Sequence, residues 1–253
     1  MALKFDMLGS GSSGNCGLVI TKSSTVLIDA GFSCKRTKEM LGARGISLEA
    51  VDAVFITHEH HDHIQGLRVL RKYENITFFA NKNTAAILEK KFGFEINWQV
   101  FETGDIFTFK DLRVTSFSVP HDAIDPIGYV FSVDGNVEGT IKSLAWMTDL
   151  GYIPSHAAEY ACSVDLLVIE SNYDNKLLAM DRKRPPYVKE RIRGMCGHLA
   201  NEEAINFIKK NKSGQWKKVI LAHVSVDCNS EYVIRKLLEE IGETSFSVDI
   251  ARP

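Results

Sequence analysis

Residues 58–63 read "HEHHDH", which is four imidazoles and an aspartate in six positions. His58 and His60 are two apart at the exit of the apolar run "AVFIT", and an extended backbone points both the same way. Asp62 and His63 follow at the turn into a helix expected to begin near Ile64, while the intervening His61 is expected to face outward. One short loop thus offers two pairs of metal donors, His58 with His60 and Asp62 with His63. Neutral imidazole and carboxylate are good ligands for zinc, manganese or iron. Two donors do not complete a coordination shell, so the loop requires partners from elsewhere in the chain.

Those partners are marked by a regularity. "AVFIT" ends at His58, "TSFSVP" at His121, "SLAWMT" at Asp149, "LLVI" at Glu170 and "KVILA" at His223. Each apolar strand delivers a polar, metal-competent side chain just past its last apolar residue. Sites gather where strand ends meet loops, and five such endings point to one shared rim. The expected arrangement is two divalent ions. His58, His60 and His121 serve one, Asp62, His63 and His223 the other, and Asp149 bridges both. His156, in "IPSHAAEY", reads as a helix-start or surface histidine and is left out of the set.

The elements that must position these residues are short strands with helices between them. "KFDMLGS", "GLVIT", "TVLIDAG", "AVFITH", "ITFFAN", "LRVTSFSVPH", "GYVFSV", "SLAWMTD", "DLLVIES", "KVILAHVS" and "SFSVDI" read as strands. Helical periodicity is clearest over 66–73, 82–92, 202–210 and 230–241. Hairpin-like strands followed by βα alternation predict a mixed α/β (α+β) sheet system with helices outside it. The stretch 134–139, "DGNVEG", reads as a turn. There is no repeat or long linker, so one domain over 1–253 is expected. With 253 residues, 45% hydrophobic and 25% charged, a sizeable core is expected. The net charge of −2 gives no global field for nucleic acid, so a polyanion must be met by a local patch. The start, "MALKFDMLGSGSSG", lacks the pattern of a secretory signal, and no apolar run is long enough to span a membrane. Five cysteines with no CxxC suit reduced thiols, so a cytoplasmic location is expected.

The set H58-x-H60-x-D62-H63, His121, Asp149 and His223 resembles that of the metallo-β-lactamase-fold hydrolases, over nearly the whole chain. The resemblance implies a four-layer αββα sandwich with a two-metal site at one edge. Asp29 in "VLIDAG" matches the family's early strand-end aspartate, which supports the metal loop from behind. "LGSGSSGNC" (8–16), "ESNYD" (170–174) and "GHLANEEA" (197–204) resemble the YycJ/VicX/WalJ branch, nucleases related to the β-CASP enzymes. The chain departs from that branch at Tyr173 and Ala200, where the pattern carries histidine and serine. The interval from Asp149 to His223 is too short for an inserted β-CASP domain. Glu170 and His198 then match the family's acidic and histidine motifs. The resemblance implies that His198 is not a ligand but a general acid oriented by Glu170, with Asp62 also counted in the catalytic set.

Two features bear on substrate. The loop "GSGSSGN" (9–15) can turn backbone N–H groups and Ser10, Ser12, Ser13 and Asn15 toward a phosphate. "DRKRPPYVKERIRG" (181–194) carries six Lys or Arg, with Arg182, Lys183 and Arg184 leading it. With Asn172, Tyr173 and Tyr187 nearby, it suits a phosphate backbone and stacked bases. The expected reaction is phosphodiester hydrolysis on nucleic acid, DNA exonuclease favoured over ribonuclease. Its nucleophile would be a hydroxide bridging the two metals, and His198 would protonate the leaving oxygen. The alternative is a small-molecule hydrolase of the same fold, acting on a cyclic phosphodiester, thioester or lactone. Oligomeric state is not legible.

Overall fold

The computed structural model describes residues 2–135, 139–212 and 215–252. Thirteen strands fall into two sheets among these residues. The first holds β1 (Lys4–Gly9), β2 (Cys16–Ile20), β3 (Thr25–Ile28), β4 (Ala53–Phe55), β5 (Thr77–Asn81) and β6 (Trp98–Phe101), in that spatial order. The second holds β7 (Ile106–Phe109), β8 (Leu112–Ser118), β9 (Ile127–Ser132), β10 (Ser143–Met147), β11 (Leu166–Glu170), β12 (Lys218–Ala222) and β13 (Ser247–Ile250), again in chain order. Each sheet begins with antiparallel pairs and ends with parallel ones: β1–β2 and β2–β3, then β3 to β6; β7 to β10, then β10 to β13.

The layers follow from alternation along the strands. Val26 and Ile28 enter a core shared by both sheets, whereas Leu27 between them packs outward under helices. In the second sheet Leu144, Trp146, Leu166 and Val168 face that shared core, and Ala145, Met147, Leu167 and Ile169 face out. Successive side chains on a strand take opposite faces, so two sheets apolar on both sides need a helical cover on each outer face. On the first sheet α1 (Cys34–Gly42), α3 (Leu67–Leu70) and α4 (Lys82–Phe92) supply it through Met40, Leu41, Leu67, Leu70 and Leu88. On the second, α5 (Ser155–Cys162), α8 (Asn201–Lys210) and α9 (Glu231–Leu238) do so through Ala157, Ala161, Ile205, Ile208 and Ile234. The result is the four-layer αββα sandwich expected from the resemblance. Phe55 anchors its centre, stacked on Phe79 at 4.5 Å and edge-on to Phe131 at 5.1 Å.

Several boundaries differ from the sequence reading. The helix expected over 66–73 is a single turn, α3. The helix expected near Ile64 begins earlier, as α2 (His61–Ile64). The pattern over 230–241 ends as α9 at Leu238 and tightens into a 3-10 turn over 239–241. The edge strands β6 and β7 and the helices α6 (Asn175–Met180) and α7 (Pro186–Arg193) carry too little apolar periodicity to be read, and α7 has no buried residue. Of the turn expected over 134–139, residues 136–138 lie outside the described residues.

Candidate metal centre

The rim expected from the strand ends exists. His58 follows β4 by three residues, Asp149 follows β10 by two, and His223 directly follows β12. Asp29 directly follows β3. Asp29, Asp149 and His223 adopt left-handed backbone, with φ of 62°, 58° and 53°. A non-glycine residue there costs about 1–2 kcal/mol, and strain of this kind survives only where the surroundings over-determine it. Here they do. The Asp29 amide donates to Phe55 O at 2.8 Å, the His223 amide to Ser10 Oγ at 2.7 Å, and the Leu150 amide, next to Asp149, to Glu170 Oε2 at 3.0 Å.

Four imidazoles are oriented by one rule. His63 Nδ1 lies 2.8 Å from Asp29 Oδ2, His223 Nδ1 2.6 Å from Glu170 Oε1, and His121 Nδ1 3.0 Å from Gly197 O. His58 Nδ1 lies 3.0 Å from Thr57 Oγ1, whose hydroxyl donates in turn to Asp29. Each acceptor demands Nδ1–H, which leaves Nε2 as a lone-pair donor toward the centre. His60 meets His121 differently, with its Nδ1 3.1 Å from His121 Nε2.

These donors form two connected clusters, each with its donor atoms within 4.8 Å of one another: His58, His60 and His121, and Asp62, His63 and His223. Asp149 lies between them, within the same distance of His58 in the first and of His63 and His223 in the second. The residues fit two cations. His58 Nε2, His223 Nε2 and Asp149 Oδ2 are buried and make no hydrogen bond, a costly arrangement unless a cation accepts their lone pairs. The ionisation of the site points the same way. Burial alone would raise Asp62 and Asp149, yet His63 and His223 hold both well below the usual carboxylate range. Burial alone would lower His63 and His223. Asp149 and Asp29 lift His63 instead, and Asp149, Asp62 and Glu170 push His223 up to about 10. Without metal, protons on these imidazoles supply the positive charge that the carboxylates demand.

Glu170 is the hub behind the clusters. It is fully buried and accepts four hydrogen bonds: His198 Nδ1 at 3.0 Å and His223 Nδ1 at 2.6 Å on Oε1, Leu150 N and Leu199 N at 3.0 Å each on Oε2. Burial would raise its carboxyl, but His198 and His223 bring it down to about 2. His198 is partly exposed and lines the cavity over the donors, which holds about 290 Å³. With Nδ1 on Glu170, its Nε2 is the free ring nitrogen.

The Beta-lactamase superfamily domain matches residues 24–224. The chain is 34% identical to the exodeoxyribonuclease YycJ of Bacillus anthracis over 96% of its own length and 90% of that protein's. It is 32% identical to the exodeoxyribonuclease WalJ of Streptococcus pneumoniae over 99% and 92%. This chain belongs to the beta-lactamase superfamily, in its YycJ/WalJ branch. It is a metal-dependent hydrolase. The crystal structure of the metallo-beta-lactamase fold protein YhfI from Bacillus subtilis shares the fold at a TM-score of 0.72 and 16% identity, covering all of this chain and 97% of that one.

Within this YycJ/WalJ-branch site, the residues expected to contact substrate divide. Ser10 and Asn15 are both fully buried, with their side chains engaged behind the donors. Ser10 braces His223, and Asn15 Nδ2 reaches Asp62 Oδ2 at 3.3 Å and Gly11 O at 3.1 Å. Ser12 lines the cavity, and Ser13 is exposed. Asn172 forms part of the wall of a neighbouring cavity, its Nδ2 fixed on His223 O at 2.7 Å. Lys183 pairs with Asp227, and Arg184, in the wall of that neighbouring cavity, pairs with Asp181 and Asp227. Arg182 is exposed. His61 is exposed, and His156 lies on α5 against Ser118.

Sequence reasoning missed Thr57 and Gly31. Thr57 links His58 to Asp29. Gly31 lets three loops close, since a Cβ there would lie 1.8 Å from Asp62 O. The signals were faint, a threonine before the first histidine and a glycine two past Asp29.

Proposed function

We propose that this hydrolase is a two-metal phosphodiesterase of nucleic acid, a DNA exonuclease like the relatives named above. The observation that carries the reading is His198. It stands at the cavity beside the donor clusters, is withheld from them by Glu170, and keeps one ring nitrogen free. A phosphodiester leaves through an alkoxide, and a positioned imidazolium that protonates that oxygen contributes about 10²–10⁴ in rate. His58, His60, His121, Asp62, His63, His223 and the shared Asp149 would hold two divalent ions. Bound there, the ions would supply charge that acidifies water and neutralises phosphoryl oxygens. Glu170 keeps His198 aimed through its Nδ1. Asp29 acts through Thr57 and His63 to hold the imidazoles in one tautomer. Ser12, at the cavity mouth, offers a hydroxyl to a phosphate oxygen.

The test is cleavage of end-labelled single- and double-stranded DNA and RNA with manganese, zinc or chelator. His198→Ala is expected to lose turnover and keep its metal, whereas Asp149→Ala is expected to lose metal. Equal metal loss in both variants would overturn the roles. Two bound ions with no cleavage of any polymer would redirect the reading to a small phosphodiester or thioester.

A further inference from the structure

We propose that Arg191 is the phosphate grip of this site, and that Asp122 is the counter-ion from which substrate takes it. The inference rests on the phosphodiesterase reading above and adds a specificity residue to it.

Two cavities meet at the rim. One lies over the metal donors, and the other, of about 190 Å³, is walled by Asn172, Tyr173, Ile192 and Cys228 among others. Ser12, His198 and Arg191 line both. A diester held beside His198 therefore lies against Arg191, with space for a flanking group on either side.

Of the other cations of the 181–194 stretch, Arg182 is exposed, Arg184 lines the second cavity, and Lys183, Arg184, Lys189 and Arg193 are each engaged by acceptors within the chain. Lys183 and Arg184 are bound to carboxylates. Lys189 is held by Ala179 O at 2.9 Å and by the Asp181 carbonyl, and Arg193 reaches Asn175 O at 3.3 Å. Helix α7 buries none of its residues fully and packs through Ile192 against Tyr173, Leu178, Ala200 and Cys228, so these tethers add to a thin apolar contact. Arg191 projects from that helix to the rim where, among the described residues, Nε alone is engaged, by Asp122 Oδ2. The other four N–H donors of the guanidinium remain for a ligand.

The geometry of Asp122 makes the pair exchangeable. Its Oδ1 lies 3.4 Å from His121 Nε2 and 4.0 Å from His60 Nε2, so one carboxylate spans the space between the donors and Arg191. The Arg191 and Asp122 side chains are 62% and 30% exposed, and ion pairs this open to water are weak. A phosphate diester offers two oxygens to the guanidinium fork, a bidentate match that a single Nε contact lacks. Binding of substrate then transfers Arg191 from Asp122 to phosphate.

The experiment compares the metal-loaded wild type with Arg191→Ala, Arg191→Lys and Asp122→Asn, on a DNA oligonucleotide over a range of salt. Arg191→Ala is expected to raise KM about tenfold with kcat within about threefold, and to reduce the salt slope of log KM by about one. Arg191→Lys is expected to restore the slope but only part of the affinity. Asp122→Asn removes the competitor and is expected to leave KM unchanged or lower. If the pair merely braces α7, Arg191→Ala and Asp122→Asn will raise KM alike with the salt slope unmoved, and the proposal fails. Metal content, measured on every variant, separates loss of a cation from loss of the grip. Should the wild type cleave no phosphodiester, the functional reading fails by itself. Anisotropy of a labelled single strand in chelator then still tests Arg191, and equal binding by wild type and Arg191→Ala overturns the grip.

Discussion

Replacing Glu170 by glutamine removes one charge and changes almost no volume, so its consequences can be worked from the four bonds it accepts. An amide has one oxygen, which can accept two of them. Its NH2 group must face the other two donors, so at best two bonds survive and a donor–donor contact replaces the rest. At about 1.5–3 kcal/mol per hydrogen bond to a charged acceptor, the loss is about 3–6 kcal/mol, a large share of a stability of about 5–15 kcal/mol. If the amide oxygen faces the imidazoles, Leu150 and Leu199 lose their acceptor, and the backbone beside Asp149 and His198 relaxes. If the NH2 faces them, His198 and His223 must reverse tautomers, and His223 then presents Nε2–H where a cation would be bound. Either way Glu170→Gln is expected to lower turnover by about 10²–10⁴ and to reduce bound metal from two ions per chain toward one. The assay pairs single-turnover cleavage with metal analysis by mass spectrometry, on protein shown by circular dichroism to be folded at the assay temperature. A folded variant with two ions and turnover within threefold of wild type would refute the hub argument.

Three further outcomes are expected. Gly31→Ala places a methyl against the Asp62 carbonyl and Asn15 N, at 1.8 and 2.4 Å, so it should cost at least about 1–3 kcal/mol; unchanged Tm and metal content would count against it. The pH response of the metal-free protein follows from His63 and His223, whose pKa values are raised on folding, His223 to about 10. Their stabilisation is fully present below the unfolded value near 6.5 and is lost as pH rises toward 10. Chelated protein should therefore lose Tm from pH 7 to 10. Metal binding must displace those protons, so apparent affinity should rise over the same window with measurable proton release; a flat Tm and no release would contradict it. Asp111 accepts from Thr21 Oγ1 at 2.6 Å, Ser24 Oγ at 2.7 Å and the Ser23 amide at 3.2 Å, joining the β2–β3 turn to the β7–β8 turn across the two sheets. Burial raises its carboxyl, but the bonds from Thr21 and Ser24 bring it below the usual range, so its contribution is present above about pH 4 and lost as pH falls through the depressed value. Asp111→Asn should cost about 1–2 kcal/mol without changing turnover, and equal acid midpoints for variant and wild type would refute this.

Ligand chemistry and fold were the legible part. Imidazole and carboxylate at strand exits announce metal chemistry through residue type and spacing alone, and strand alternation determines which side chains enter the shared core. Strands such as 26–28 and 166–169 could be read because they alternate between two apolar environments. β6, β7 and α7 could not, because edge strands and an unburied helix carry no such pattern. Residue type also could not separate a serine that binds phosphate from Ser10, which braces His223, since both are hydroxyls in one glycine-rich loop.

What the sequence by itself determined is the inventory: seven candidate donors, Glu170 and His198 beyond them, and an α/β frame able to carry strand ends to one rim. What only the tertiary structure decided is which charges are free. Lys183, Arg184 and Arg191 are alike as letters in one basic run. Folding sets Asp181 and Asp227 against the first two and leaves four donors of Arg191 at the cavity, because the strength and availability of a charge depend on what stands within a few ångströms of it, and that is set by contacts distant in the chain.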